Sequence, residues 1–267
     1  MKQCPHCGTW IKDNSRFCTE CGAQLNSQSA KAAKTAAGAA LVLGQAARQA
    51  RLEADYTDAS IISDRLYNAI LLGTLLWGLL VNVVLCYTVG DVYRYVSPML
   101  FLVLYLICAF AGIMIAGKSQ NPVISFLGYN LVVVPFGLVI STLVEAYGGV
   151  GSGLVADAFT YTLLISLGMM GAALAFPQLF QKLGGALLGC LVGLVLCELV
   201  LLILGVDQRL SDWLAAGLFS LYIGYDVYRS QQFVKTVDNA VDSALDIYLD
   251  IANLFIRLLE ILGRRKK

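Results

Sequence analysis

The sequence is poor in charge. Asp, Glu, Lys and Arg make up 14% of its 267 residues, against about a quarter in soluble globular proteins. With 58% hydrophobic residues, an ordinary soluble globule is excluded. Neither sign of charge is in excess: the formal net charge is +1, so nothing marks the chain as a partner for nucleic acid or for acidic ligands. Histidine occurs once, as His6. No HExxH, nucleophile elbow or Walker loop is present, and no enzyme activity is expected. The loop Gly148–Gly153 (GGVGSG) lacks the strand and the lysine that a phosphate cradle needs, and reads as a flexible connection. The polar N-terminus carries no signal peptide.

What is there is apolar sequence in long runs. About 20 helical residues cross roughly 30 Å of hydrocarbon. Four uncharged runs reach that length: Leu66–Gly90, Tyr95–Gly117, Ser119–Val144 and Ala158–Gln181. Three more are interrupted by charge: Leu183–Leu204 around Glu198, Trp213–Tyr228 around Asp226, and Ala244–Leu262 around Asp250, Arg257 and Glu260. The fold expected is an all-α membrane protein, a bundle of seven transmembrane helices. Ser97–Pro98 and Asn121–Pro122 are helix starts, each a capping residue followed by proline in the first turn. Asp157 is a cap of the same kind for the fourth helix, and Pro135 should kink the third. Gly185, Gly189 and Gly193 recur every fourth residue and permit close helix packing. Cys86, Cys108, Cys190 and Cys197 lie in apolar runs and read as small hydrophobes.

Ahead of these runs stands a different kind of sequence. Cys4 and Cys7, then Cys18 and Cys21, form two CxxC pairs, each followed by glycine. Four thiolates complete a tetrahedral zinc shell with no position left for a reacting water, so the metal is structural. Two disulfides are the other reading, and nothing points to the oxidising compartment they need. The segment resembles the small zinc-ribbon family, and so short a piece would draw its folding energy from the metal. The organisation expected is a ribbon over 1–26, an Ala-rich linker over 27–65, a membrane domain over 66–263 and a basic tail over 264–267. The N-terminal region carries eight Lys and Arg, which places the ribbon on the cytoplasmic side by the positive-inside rule. Seven crossings then put the basic C-terminus outside. A last helix that crosses only partly, or re-enters, would remove that conflict.

The informative stretch is 220–263. Asp226 and Asp250 lie in apolar surroundings, and Asp238 is twelve residues from each. A turn near Asp238 would bring the two to one depth. In the last helix Asp238, Asp242, Asp246 and Asp250 recur every four residues and wind slowly along one side. The first two fit a solvated entry turn, where acids favour the helix N-terminus. Asp246 and Asp250 do not, and a helix carrying them belongs in the middle of the bundle, with Arg257 and Glu260 able to pair. Two carboxylates held together titrate as a unit, and ionised they offer hard oxygen ligands suited to Ca²⁺. Pairing of an aspartate with Arg229 is the plain structural alternative.

These C-terminal residues carry a family pattern. SLYIGYDVYRSQQ, followed by SALDIYLDIANLFIRLLEILG, resembles the Bax inhibitor-1 family of membrane proteins. The resemblance implies a seven-helix fold with the last helix at its centre and a pH-sensitive calcium leak gated by an aspartate pair, here Asp226 and Asp250. Asp246 departs from the small polar residue usual at its position and adds charge to the path. Some relatives latch the pair with an arginine in the second helix; none is present, and Lys118, Arg229 and Glu198 are the candidates for support. The ribbon is an added module, suited to binding a protein partner such as a membrane protease, and a non-transporting regulator is the second function expected. An intramembrane aspartyl protease fits poorly, because Ile247, Tyr248 and Leu249 precede Asp250 in place of the Gly-x-Gly those enzymes use. The partners expected are the lipid bilayer and Ca²⁺, with Zn²⁺ in the ribbon.

Overall fold

The computed structural model describes residues 2–3, 10–11, 60–92, 95–204 and 209–265. The chain divides into two compact units, Met1–Leu43 and Gly44–Lys267. In the first, β1 (Lys2–Gln3) pairs antiparallel with β2 (Trp10–Ile11), Lys2 opposite Ile11 and Gln3 opposite Trp10. In the sequence, Cys4 and Cys7 fall between the two strands. Cys4, Cys7, Cys18, Cys21 and the linker as far as residue 59 lie outside the described residues.

The described residues of the second unit are all-helical. Seven long helices are α1 (Asp64–Thr88), α2 (Pro98–Lys118), α3 (Pro122–Ala146), α4 (Gly153–Ala175), α6 (Gly184–Leu204), α7 (Arg209–Ser230) and α8 (Val237–Arg265), with a single-turn α5 (Pro177–Gln181) between α4 and α6. Ser63, Ser97 and Asn121 cap α1, α2 and α3 through side-chain oxygens, and prolines follow the last two caps. At α4 the cap position falls on Ser152, not on Asp157, which lies inside the helix. The apolar run ending at Gln181 is not one helix, because Pro177 interrupts it after Phe176. The helix α3 continues through Pro135.

Three helices, α1, α3 and α4, are long and apolar enough to cross a membrane, and shorter apolar stretches run over Val103–Lys118 and Gly184–Glu198. Their outer faces expose large hydrophobics such as Leu76, Leu106, Leu127 and Leu164, a surface suited to lipid. The glycines at 185, 189 and 193 have nothing within 4 Å of where a side chain would begin. They therefore do not serve helix packing inside the bundle, contrary to the expectation from their spacing.

Helix α8 is the exception to the apolar rule. It packs against α7, α1, α3 and α4, and Ala244, Leu245, Ile247, Tyr248, Leu254 and Leu259 on it are buried. Aromatic rings anchor its middle. Tyr248 lies 6.0 Å from Tyr129 and 6.3 Å from Phe136. The Tyr129 hydroxyl donates to the Thr74 carbonyl at 2.8 Å, and that of Tyr248 to Asn82 Oδ1 at 3.0 Å, so neither buried phenol is left without a partner. Gly78 makes room, since a Cβ there would collide with the Tyr129 hydroxyl.

At about 1.5 Å per residue, the 29 residues of α8 extend well beyond the roughly 30 Å of a hydrocarbon core. The helix is unbroken from one end of the bundle to the other.

Candidate functional site

The polar residues of α8 fall on one line. Asp238, Asp242, Asp246, Asp250, Asn253, Arg257, Glu260 and Arg264 are separated by steps of four or three, which keeps them on one face of a helix. Among them Asp238, Asp242 and Asp250 are buried and Asp246 is half-buried. Asp238 and Asp242 are therefore not a solvated entry turn. The line is a seam through the interior, acidic at its start and arginine-containing at its end.

At the acidic end the chain turns over residues 231–236, just ahead of Asp238, which sits in the first turn of α8. Ser125 of α3 donates its hydroxyl to Asp238 Oδ1 at 2.6 Å. The Tyr67 hydroxyl, at the start of α1, donates to the Ser230 carbonyl at 2.9 Å and lies 3.0 Å from Ser243 Oγ. The ammonium of Lys235 stands 4.4 Å above the Tyr67 ring and donates to the carbonyls of Ser230 and Gln231. Burial pulls this ammonium below the ordinary lysine range, and Asp64 pulls against it. These contacts clasp the turn between α7 and α8 to α1.

The opposite end fixes the register. Asp212 of α7 contacts Arg257 Nη1 at 2.9 Å and Arg264 Nη1 at 2.7 Å, both on α8. Fourteen residues further along each antiparallel helix, Asp212 becomes Asp226, and Arg257 and Arg264 become Ser243 and Asp250. Asp226 is thus carried against the span 243–250, which holds Asp246 and Asp250.

The supporting residues divide differently from the expectation. Arg229 lies 4.0 Å from Asp226, at the limit of an ion pair, and its guanidinium also stands over the rings of Tyr225 and Phe233. Lys118 is exposed at the end of α2 and makes no ion pair with any described residue. Glu198 serves the far end of the seam, where its Oε2 meets Arg257 Nη2 at 2.8 Å. Glu260 is 3.8 Å from Arg257, so the pairing expected within α8 is the weakest of the contacts Arg257 makes. Tyr147, in the loop after α3, borders this group. Burial first and Glu260 second push its phenol above the ordinary range.

The cluster of Glu198, Asp212, Arg257, Glu260 and Arg264 was not foreseen. Its members come from three helices, and the only sequence trace was the charge that interrupts each apolar run. Among the described residues, no three His, Cys, Asp or Glu side chains converge as a metal site. For zinc, the donor set is the two CxxC pairs, soft thiolates at the spacing a tetrahedral site takes.

Comparison with known proteins agrees with this division. Residues 3–25 match a zinc-ribbon domain. A Helicobacter pylori protein described as uncharacterized is 32% identical over 161 residues, which is 59% of this chain and 68% of that protein. A second, from another strain, is 37% identical over 130 residues, covering 46% of this chain and 55% of the relative. A Campylobacter jejuni protein is 32% identical over 128 residues, covering 47% and 53%. The chain spans little more than half the length of these last two. Residues 61–267, the whole helical bundle, match the family described as inhibitor of apoptosis-promoting Bax1: the chain belongs to the Bax inhibitor-1 family of membrane proteins.

Proposed function

We propose that the bundle crosses the membrane seven times and conducts a slow calcium leak along the acidic half of its interior seam. The observation that carries this reading is the burial of Asp226, Asp242 and Asp250 on two packed helices. A carboxylate held at membrane depth costs about 2.5–3.5 kcal/mol on insertion scales and is retained for an ion or proton path. Protons and Ca²⁺ would compete for the same oxygens, which makes the leak sensitive to pH. The zinc ribbon is placed on the cytoplasmic side, where thiolates stay reduced. The basic residues near the end of the chain weigh less against that orientation than their number implies, because Arg257 and Arg264 are engaged in ion pairs within the bundle.

The test is Ca²⁺ entry into liposomes holding the purified protein, measured at several pH values. Asp250→Asn and Asp226→Asn are each expected to change the flux at neutral pH at least several-fold and to flatten its pH profile. Wild-type profiles in both variants would defeat the reading. The zinc-ribbon match supports a second one, a regulator that binds a protein partner through its ribbon. A protein without flux that captures a defined partner only when zinc is present would decide for it.

A further inference from the structure

The acidic half of the seam has a counterpart that the leak reading does not use. Arg257 stands two turns beyond Asp250 on the same line of α8. Its guanidinium reaches sideways in two directions, to Glu198 of α6 at 2.8 Å and to Asp212 of α7 at 2.9 Å. Asp212 is 1% exposed and Arg257 19%, so solvent does little to weaken this link. One planar fork thus joins three helices, a geometry that suits guanidinium and not ammonium. Arg264, also bound to Asp212, is 31% exposed and forms the rim. A cation leaving Asp250 along the seam passes Asn253 and then meets Arg257, whose guanidinium stays protonated at any physiological pH.

We propose that Arg257 is the residue that closes the seam to cations at the end opposite the aspartates, and that its positive charge sets the resting leak. The proposal rests on the seam being an ion path, and its test separates the two ideas.

The experiment compares wild type, Arg257→Gln and Arg257→Lys in liposomes, with Ca²⁺ and K⁺ uptake measured in parallel and folding checked by thermal melting in detergent. Arg257→Gln is expected to raise uptake of at least one cation about tenfold, and Arg257→Lys to stay within about twofold of wild type. If wild type is silent and Arg257→Gln conducts, the closing role stands and a resting leak fails. If Arg257→Gln conducts no more than wild type, the proposal is overturned, whatever wild type does. Equal gains in the Gln and Lys variants also overturn it, because the charge would then not be what matters. Should Arg257→Gln not fold, the double variant with Glu198→Gln removes the acid left without its partner, and the same outcomes apply.

Discussion

The two halves of α8 handle buried charge in opposite ways. In the second half, charge is matched at close range by charge: Arg257 and Arg264 hold Glu198 and Asp212 at 2.7–2.9 Å, across three helices. Around the first half, a serine hydroxyl serves Asp238 at 2.6 Å, and Arg229 of α7 stands 4.0 Å from Asp226. Close ion pairs fix a structure, since the loss of one partner leaves an uncompensated charge. Carboxylates served by hydroxyls keep the option of taking up a proton or a cation. A single helix therefore joins a part tied by close ion pairs to a part that, in the proposed leak, would take up protons or cations.

That contrast can be broken by experiment. Asp212→Ala removes the buried acid that Arg257 and Arg264 share and is expected to cost about 3–5 kcal/mol, read from unfolding in mixed micelles. A loss under about 1 kcal/mol would mean the far end is no more fixed than the near one. Ser125→Ala removes the hydroxyl from Asp238 and should cost about 1.5–3 kcal/mol at neutral pH, the range for hydrogen bonds to charged groups. Much of that loss should vanish at acid pH, where the carboxyl is neutral in either protein; a constant loss would argue against an ionised Asp238. Tyr67→Phe loosens the clasp on the turn by about 1 kcal/mol. Its sharper signature is faster hydrogen exchange at the Ile62 amide, which donates to the Lys235 carbonyl; unchanged exchange would show that the clasp does not depend on the phenol.

How much of this was legible in the sequence depends on how local the cause is. The starts of α2 and α3 could be read because Ser97–Pro98 and Asn121–Pro122 act within one turn of themselves. The interior position of α8 was legible too, since no lipid-facing helix carries acids at every fourth residue. The turn expected near Asp238 was legible as well, and falls at 231–236, just ahead of it. The partner of Glu198 could not be read in this way. Arg257 meets Asp212 and Glu198 across 45 and 59 residues, and such distances are settled only when helices pack. The glycines at 185, 189 and 193 show the converse: their pattern states that close approach is permitted, and not that a neighbour takes it up.

The seam also constrains how the molecule can be made. Each aspartate or arginine at mid-membrane costs an isolated helix about 2.5–3.5 kcal/mol, and α8 carries several, so it would not settle in lipid by itself. It follows α1 to α7 in the chain, and so leaves the ribosome after the helices that will enclose it. Biogenesis then resembles filling a prepared socket: the earlier helices must wait beside the translocon with their inner faces open until the charged one arrives.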